Sequence, residues 1–396
     1  MVHHVLRRIP VGIAQTGSRR ERDSHGSTDV PADRYWGACT QRALKAFPTS
    51  VDRIPDRFYW CYGYAKQAAA MANEASVLLQ PWKREAITVA VAELIEGKLA
   101  DHFPLAIGQS GSGREIDCNV NEVLANRSIQ LLGGVIGSRS PIHPAKDVNL
   151  AQTAANTFTT AMHIAIVSEI EQFLVPNVSA LAGAIERNAE AGPHSALSKS
   201  GYAYRLRQSL RRIDEAEGDM HDIVVAEPLG VVAPGRSQQH VEDFAKAVAA
   251  ATRRPFIVAG NTQPEACSLD PVIATMAAVR GLASTLRGIT EEVSLATSAP
   301  DPLMGTSAAA EAPGVSAVAR PVGLEASVMA CVRVIAEDAR VVAGSSGCGA
   351  ARAMRPMIAR SVLSSIGMLG DLCETMRAVF AGQTRGARGR ADGARQ

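Results

Sequence analysis

The feature that most constrains this chain is the run from Val148 to Phe173. Val148, Ala151, Ala155, Phe158, Met162, Ile166, Ile170 and Phe173 recur at spacings of three and four, the signature of a buried helix. Asp147 stands where an N-cap belongs, and Pro176 stands where a helix is expected to stop. Helical patterns follow at 177–190, 200–216, 240–253, 269–297, 324–338 and 355–380. A helix that is apolar around most of its circumference needs neighbours on every side. The expected fold class is therefore mainly α, a long-helix bundle over residues 143–380, and the same argument predicts self-association, because five long helices rarely enclose such a helix unaided.

A smaller N-terminal helical domain is expected over 19–142. Residues 19–48 alternate polar and turn-forming residues before a short helix. From Pro55 to Leu79 the spacing is helical, with Ala65, Ala68, Ala69 and Ala72 forming a narrow packing face. Pro81 opens a second helix that runs to Ile95, with Gly97 as its stop. The stretch Gln109–Arg127, QSGSGREIDCNVNEVLANR, then passes from small residues into a helix for which Asp117 reads as the N-cap. A Ser/Gly loop feeding a helix start can aim several N–H groups at an anion; it also serves as an ordinary connection. The glycine-rich turn Gly133–Ser140 reads as the domain boundary, and residues 1–18 and the Arg/Gly-rich 381–396 read as disordered.

Composition removes several classes of function. The 396 residues are 46% hydrophobic and 20% charged with a net charge of +2, which gives no general argument for nucleic acid. No apolar run is read as long enough to span a membrane. The seven cysteines are scattered, form no CxxC pair and accompany no zinc-like His spacing; they read as reduced thiols of a cytoplasmic protein. No metal or cofactor is expected. Gly344-Ser345-Ser346-Gly347-Cys348-Gly349 is a weak nucleotide-loop decoy, since no Lys-Ser/Thr follows it.

The chain resembles the class II fumarate hydratases of the fumarase/aspartase superfamily from about Arg19 to about Phe380. The resemblance rests on VPADRYWGACTQR at 30–42, on Gln109-Ser110-Gly111-Ser112-Gly113 followed by NEVLANR, and on His143-Pro144-Ala145-Lys146-Asp147-Val148-Asn149, which fit the fumarase patterns QTGSG and HPNDDVN better than the aspartase ones. It implies a homotetramer assembled through a central helical bundle, and reversible hydration of a small dianion, fumarate, to L-malate. Such chemistry needs a base and a dense set of donors around two carboxylates. It also implies a small C-terminal domain, which this chain stops short of.

The resemblance assigns roles residue by residue, with departures. Ser112 matches the loop serine, whereas Arg114 replaces the substrate-contacting threonine. In the SQSSND motif Thr153 keeps a hydroxyl, but Ala154 and Ala155 replace donors. His143 keeps the accessory anion site, with two of its partners changed. His194 matches the histidine that manages the reacting water, and Glu325 the acid that orients it. In the mobile loop Val315 replaces the base serine, with Ser316 beside it as candidate base, and Arg320 can restore a lost cation. Two readings stay open. One is a fumarate hydratase with a compromised or rewired site. The other is a non-catalytic homologue, acting as a structural or mixed-tetramer partner of an intact relative, or a decayed copy.

Overall fold

The computed structural model describes residues 5–46, 52–190, 196–223, 237–260, 269–298, 322–346 and 353–393. It falls into two compact units that interleave along the chain: Met1–Val167 with Gly218–Val272 and Val342–Arg360, and Ser168–Glu217 with Ile273–Val341 and Ser361–Gln396.

The first unit opens on an antiparallel hairpin, β1 (Ser18–Asp23) and β2 (Gly26–Pro31), registered from Ser18 opposite Pro31 to Asp23 opposite Gly26. Ahead of it, residues 5–17 form no regular element but are tied down. Arg7 N–H donates to Leu131 O, and the buried Arg127 guanidinium donates to Ile9 O and Pro10 O. Then come α1 (Ala38–Ala46), α2 (Asp56–Ala75), α3 (Pro81–Ile95) and α4 (Arg114–Leu131). The alanine stripe of α2 is buried as expected, and Gly63 lets it approach the end of α3: a Cβ there would lie 2.8 Å from Ile95. The helix α3 begins at Pro81 and closes at Gly97, whose φ of 75° only glycine adopts without cost.

Three sequence expectations are corrected. The helix α4 starts at Arg114, not at Asp117; its N-cap is Gly113, at φ 83°, and Asp117 is buried one turn inside. The long helix begins at Ala154 rather than Asp147, and Pro176 does not end it. Residues 144–148 form a single π-type turn of their own. Further on, α5 (Ala154–Glu169) passes through a π-turn at Ile170–Leu174 into α6 (Val175–Glu190). The π-turn places Pro176 in the first turn of a fresh α-helical segment, where its missing N–H is not needed. The first unit also holds a two-residue parallel pair, β3 (Asp222–Ile223) and β4 (Ile257–Val258), and α8 (Gln238–Thr252), packed against α2.

The second unit is a helical bundle of α6, α7 (Ala196–Glu217), α9 (Asp270–Ser298), α10 (Val322–Ser345) and α11 (Arg355–Gly393), the last three counted by their residues in this unit. Ser209 of α7 meets Thr285 of α9 at 3.2 Å, Arg280 of α9 pairs with Asp338 of α10 at 2.8 Å, and Ser361 of α11 donates to Glu337 of α10 at 2.6 Å. At Gly370 of α11 the Phe173 ring comes so close that a Cβ would lie 2.3 Å from it. The expectation that no apolar run reaches membrane length is also corrected. The stretches Ala154–Arg187 and Asp270–Val293 each contain an 18-residue window with the mean hydropathy of a span, 1.3 and 1.2, of which 50% and 44% is buried inside the protein.

Candidate functional site

The first unit brings two helix starts together. Gly113, the left-handed residue that launches α4, lies flat against Phe158 on the second turn of α5; a Cβ at Gly113 would be 2.4 Å from that ring. A glycine is therefore required twice over, by φ and by space. The loop ahead of it is held by Ser110, which is fully buried and whose Oγ accepts from Ile116 N–H at 3.3 Å. Ser112 and Arg114 are exposed on either side of Gly113. At the start of α5, Thr153 is the N-cap: its Oγ1 accepts from Asn156 N–H at 3.3 Å and its carbonyl from Thr157 N–H at 3.0 Å. Ala154 and Ala155 stand in that first turn and offer only backbone N–H groups and methyls.

Two helix dipoles thus begin side by side, with two hydroxyl residues and one guanidinium near them. A cation at the first position of α4 opposes that helix's dipole, whereas Glu115 and Asp117 in the same turn complement it. Such an arrangement can hold carboxylate groups.

The other expected residues are placed as follows. His143 is the N-cap of the 144–148 turn. Its Nδ1 accepts from Ala145 N–H at 3.0 Å and Lys146 N–H at 3.2 Å, and the His143 backbone N–H donates to Asp147 Oδ2 at 2.7 Å. Burial, then the charges of Arg139 and Lys146, lower its pKa. The ring is therefore a neutral cap whose Nδ1 is already engaged. Asp147 also takes Lys83 Nζ at 2.8 Å. Glu325 is exposed on the first turn of α10 in the second unit. His194, Ser316 and Arg320 lie outside the described residues.

Sequence reasoning passed over a buried polar cluster behind the two helix starts. Lys66, fully buried on α2, pairs with Asp117 Oδ1 at 2.9 Å and donates to Asn149 Oδ1 at 2.8 Å and Gln152 Oε1 at 3.1 Å. The Tyr62 hydroxyl donates to the same Asp117 oxygen at 2.7 Å, and the Asn121 amide to Oδ2 at 2.9 Å. Burial lowers the Lys66 pKa, and burial together with Asp117 raises that of Tyr62. The signal was legible: Lys66 interrupts the alanine stripe of α2. A small cavity beside this cluster is lined by Ala69, Gln152, Thr157, Thr160, His240 and Phe244.

Residues 26–336 match the family described as Lyase. The chain is 38% identical to the class II fumarate hydratase of Methanosarcina acetivorans, over 93% of this chain and 81% of that one. It is 35% identical to the class II fumarate hydratase of Thermosynechococcus vestitus, over 91% and 82%. Among solved structures it resembles the fumarate lyase:delta crystallin of Brucella melitensis, with a TM-score of 0.82 and 25% identity over 91% of this chain and 83% of that one. It also resembles the class II fumarase of Schistosoma mansoni, with a TM-score of 0.80 and 23% identity over 90% and 82%.

Proposed function

Because the chain belongs to the class II fumarate hydratases of the fumarase/aspartase superfamily, we propose that it is a lyase of small dicarboxylates, interconverting fumarate and L-malate through a rewired site. The observation that carries this reading is the packing of Gly113 on Phe158, which keeps the starts of α4 and α5 adjacent although the side chains around them have changed. In this reading Ser112 and Thr153 offer hydroxyls, the first-turn N–H groups of α5 receive a carboxylate, and Arg114 supplies a guanidinium in place of a compact hydroxyl. In the malate direction Ser316, or a water, takes the C–H proton. The resulting charge spreads onto the neighbouring carboxylate, and the family pattern gives Arg320 the task of balancing it. The same pattern gives His194 the proton for the departing hydroxyl, which leaves as water, and Glu325 the partnering of that histidine.

Association of several copies belongs to the same proposal. Met329, Val332, Ala336 and Ala339 form an exposed apolar stripe along α10, with Met329 66% and Val332 48% exposed, and further copies of this chain would cover it in a homotetramer. The cytoplasm is the proposed compartment. It suits the free thiols of Cys39, Cys61, Cys118, Cys331 and Cys373.

A second reading rests on a specific observation. Ala154 and Ala155 present methyl groups in the turn that should grip a carboxylate, and losing one donor of this kind typically costs about 10²–10³ in rate. The chain would then be an inactive homologue that lends its frame to a mixed assembly. Purified protein with fumarate or malate separates the two. Turnover that Arg114→Ala and His194→Ala abolish supports the enzyme. A rate equal to buffer in an assembled protein, with co-purification of an intact fumarase, supports the partner.

A further inference from the structure

The Lys66 cluster has a geometry that packing alone does not require. A buried ammonium is costly unless each of its donors is met, and a well-packed apolar residue would serve stability as well or better. Here the three donors of Lys66 are met by Asp117 on α4 and by Asn149 and Gln152, which bracket Leu150 and Ala151. Ala151 has φ 53°, a left-handed conformation that a residue with a Cβ adopts at a cost. The turn is clamped a second time from the same helix, since Asn73 donates to Leu150 O at 3.0 Å while its Oδ1 meets His240 Nε2 at 2.8 Å. Gln152 continues the chain of contacts, because its Oε1 also accepts from Thr157 Oγ1 at 3.2 Å, inside the first turns of α5. The strained turn ends at Thr153, the N-cap of α5.

We infer that Lys66 is a positioning residue: from the buried face of α2, braced by Asp117, it holds the 149–152 turn, and with it the first turn of α5, in the orientation that receives a carboxylate. The inference rests on the proposed function only for what the turn receives; the clamp itself stands on the geometry. Lys66 touches no substrate in this scheme. Its charge matters because a charged donor to two carboxamide oxygens fixes them more firmly than a neutral one does. Asp117 keeps that charge in place, and Tyr62 and Asn121 keep Asp117 in place.

The test uses the full-length protein and two readouts. Amide hydrogen exchange over residues 149–157 should rise about ten- to a hundredfold in Lys66→Met, with α3 unchanged, the range expected when a hydrogen bond to a charged group is lost. Since Lys66→Met risks misfolding, Asn149→Leu and Asn149→Asp give a second route. The leucine variant removes one acceptor and should loosen the same segment, and the aspartate variant restores an acceptor and should restore protection. In turnover assays the Lys66→Met and Asn149→Leu variants should raise KM for malate about tenfold or more while kcat falls less, with Asn149→Asp near the wild type. Uniform exchange changes across the unit, or unchanged exchange over 149–157 in both loosening variants, would overturn the inference. If the wild-type protein turns over neither fumarate nor malate, the functional reading fails and the exchange pattern alone decides the clamp.

Discussion

Val77 is the clearest residue-scale anomaly. It is 90% exposed, β-branched, and held at φ 58° where α2 ends. A left-handed conformation costs a residue with a Cβ roughly 1–2 kcal/mol. Val77→Gly should therefore raise stability by about 1 kcal/mol, read as a higher urea midpoint with unchanged slope. Two buried histidines give a pH prediction. His163 meets Met220 O through Nδ1 at 3.0 Å, and its buried Nε2 has no hydrogen-bond partner among the described residues; His102 accepts Tyr35 N–H at Nδ1. Burial lowers both pKa values from 6.5 to about 4. The unfolded chain thus takes up these protons first as the pH falls. Stability is fully present above pH 6.5 and is lost on acidification down to about 4, at about 3 kcal/mol for each ring. Denaturant titrations between pH 7 and 4 should show this loss, and His163→Asn should flatten the slope. The Asp117 expectation failed at this scale. An acid four residues past the loop glycine reads as a cap because nothing near it in sequence marks Lys66, on another helix, as its buried partner.

At the scale of elements, the junction of α4 and α5 depends on one glycine. Gly113→Ala forces a methyl into the Phe158 ring and into a positive φ, so it should destabilise by about 1–3 kcal/mol and weaken dicarboxylate binding, checked by calorimetry and by protection from exchange. Gly370→Ala is the counterpart in the second unit, where the Phe173 ring occupies the space; a loss of similar size is expected there in thermal unfolding. The helices themselves were legible. The span Pro81–Ile95 follows directly from its proline and glycine punctuation, and α9 and α11 from their apolar period. What stayed hidden were the exceptions to that punctuation. Pro176 reads as a stop because proline clashes with the preceding turn, and the π-turn that relieves the clash has no sequence mark. The β1–β2 hairpin was read only as polar and turn-forming residues, because its two strands carry few apolar side chains to alternate. Of the candidate site, the Ser/Gly loop and Thr153 were legible from their motifs, whereas the clamp behind them was not, because it joins three segments distant in sequence.

At the scale of the whole molecule, the helical frame and the groups that decorate it are encoded differently. The frame is encoded redundantly by many apolar positions and tolerates exchange, whereas each polar group that grips a dianion is a single side chain. Divergence can therefore leave the helices in place while Arg114, Ala154 and Ala155 stand where hydroxyl and amide donors are expected. Light scattering on the purified chain should report a tetramer, and Met329→Glu, which plants a charge on the apolar stripe of α10, should lower the assembly state. The most direct test is the initial rate of fumarate hydration by the assembled protein, measured beside an intact class II fumarate hydratase. The expected result is a rate above buffer, lower than the intact enzyme's by about 10²-fold or more, and abolished in Arg114→Ala. A rate matching the intact enzyme would contradict the rewired site, and a rate equal to buffer would remove the enzyme.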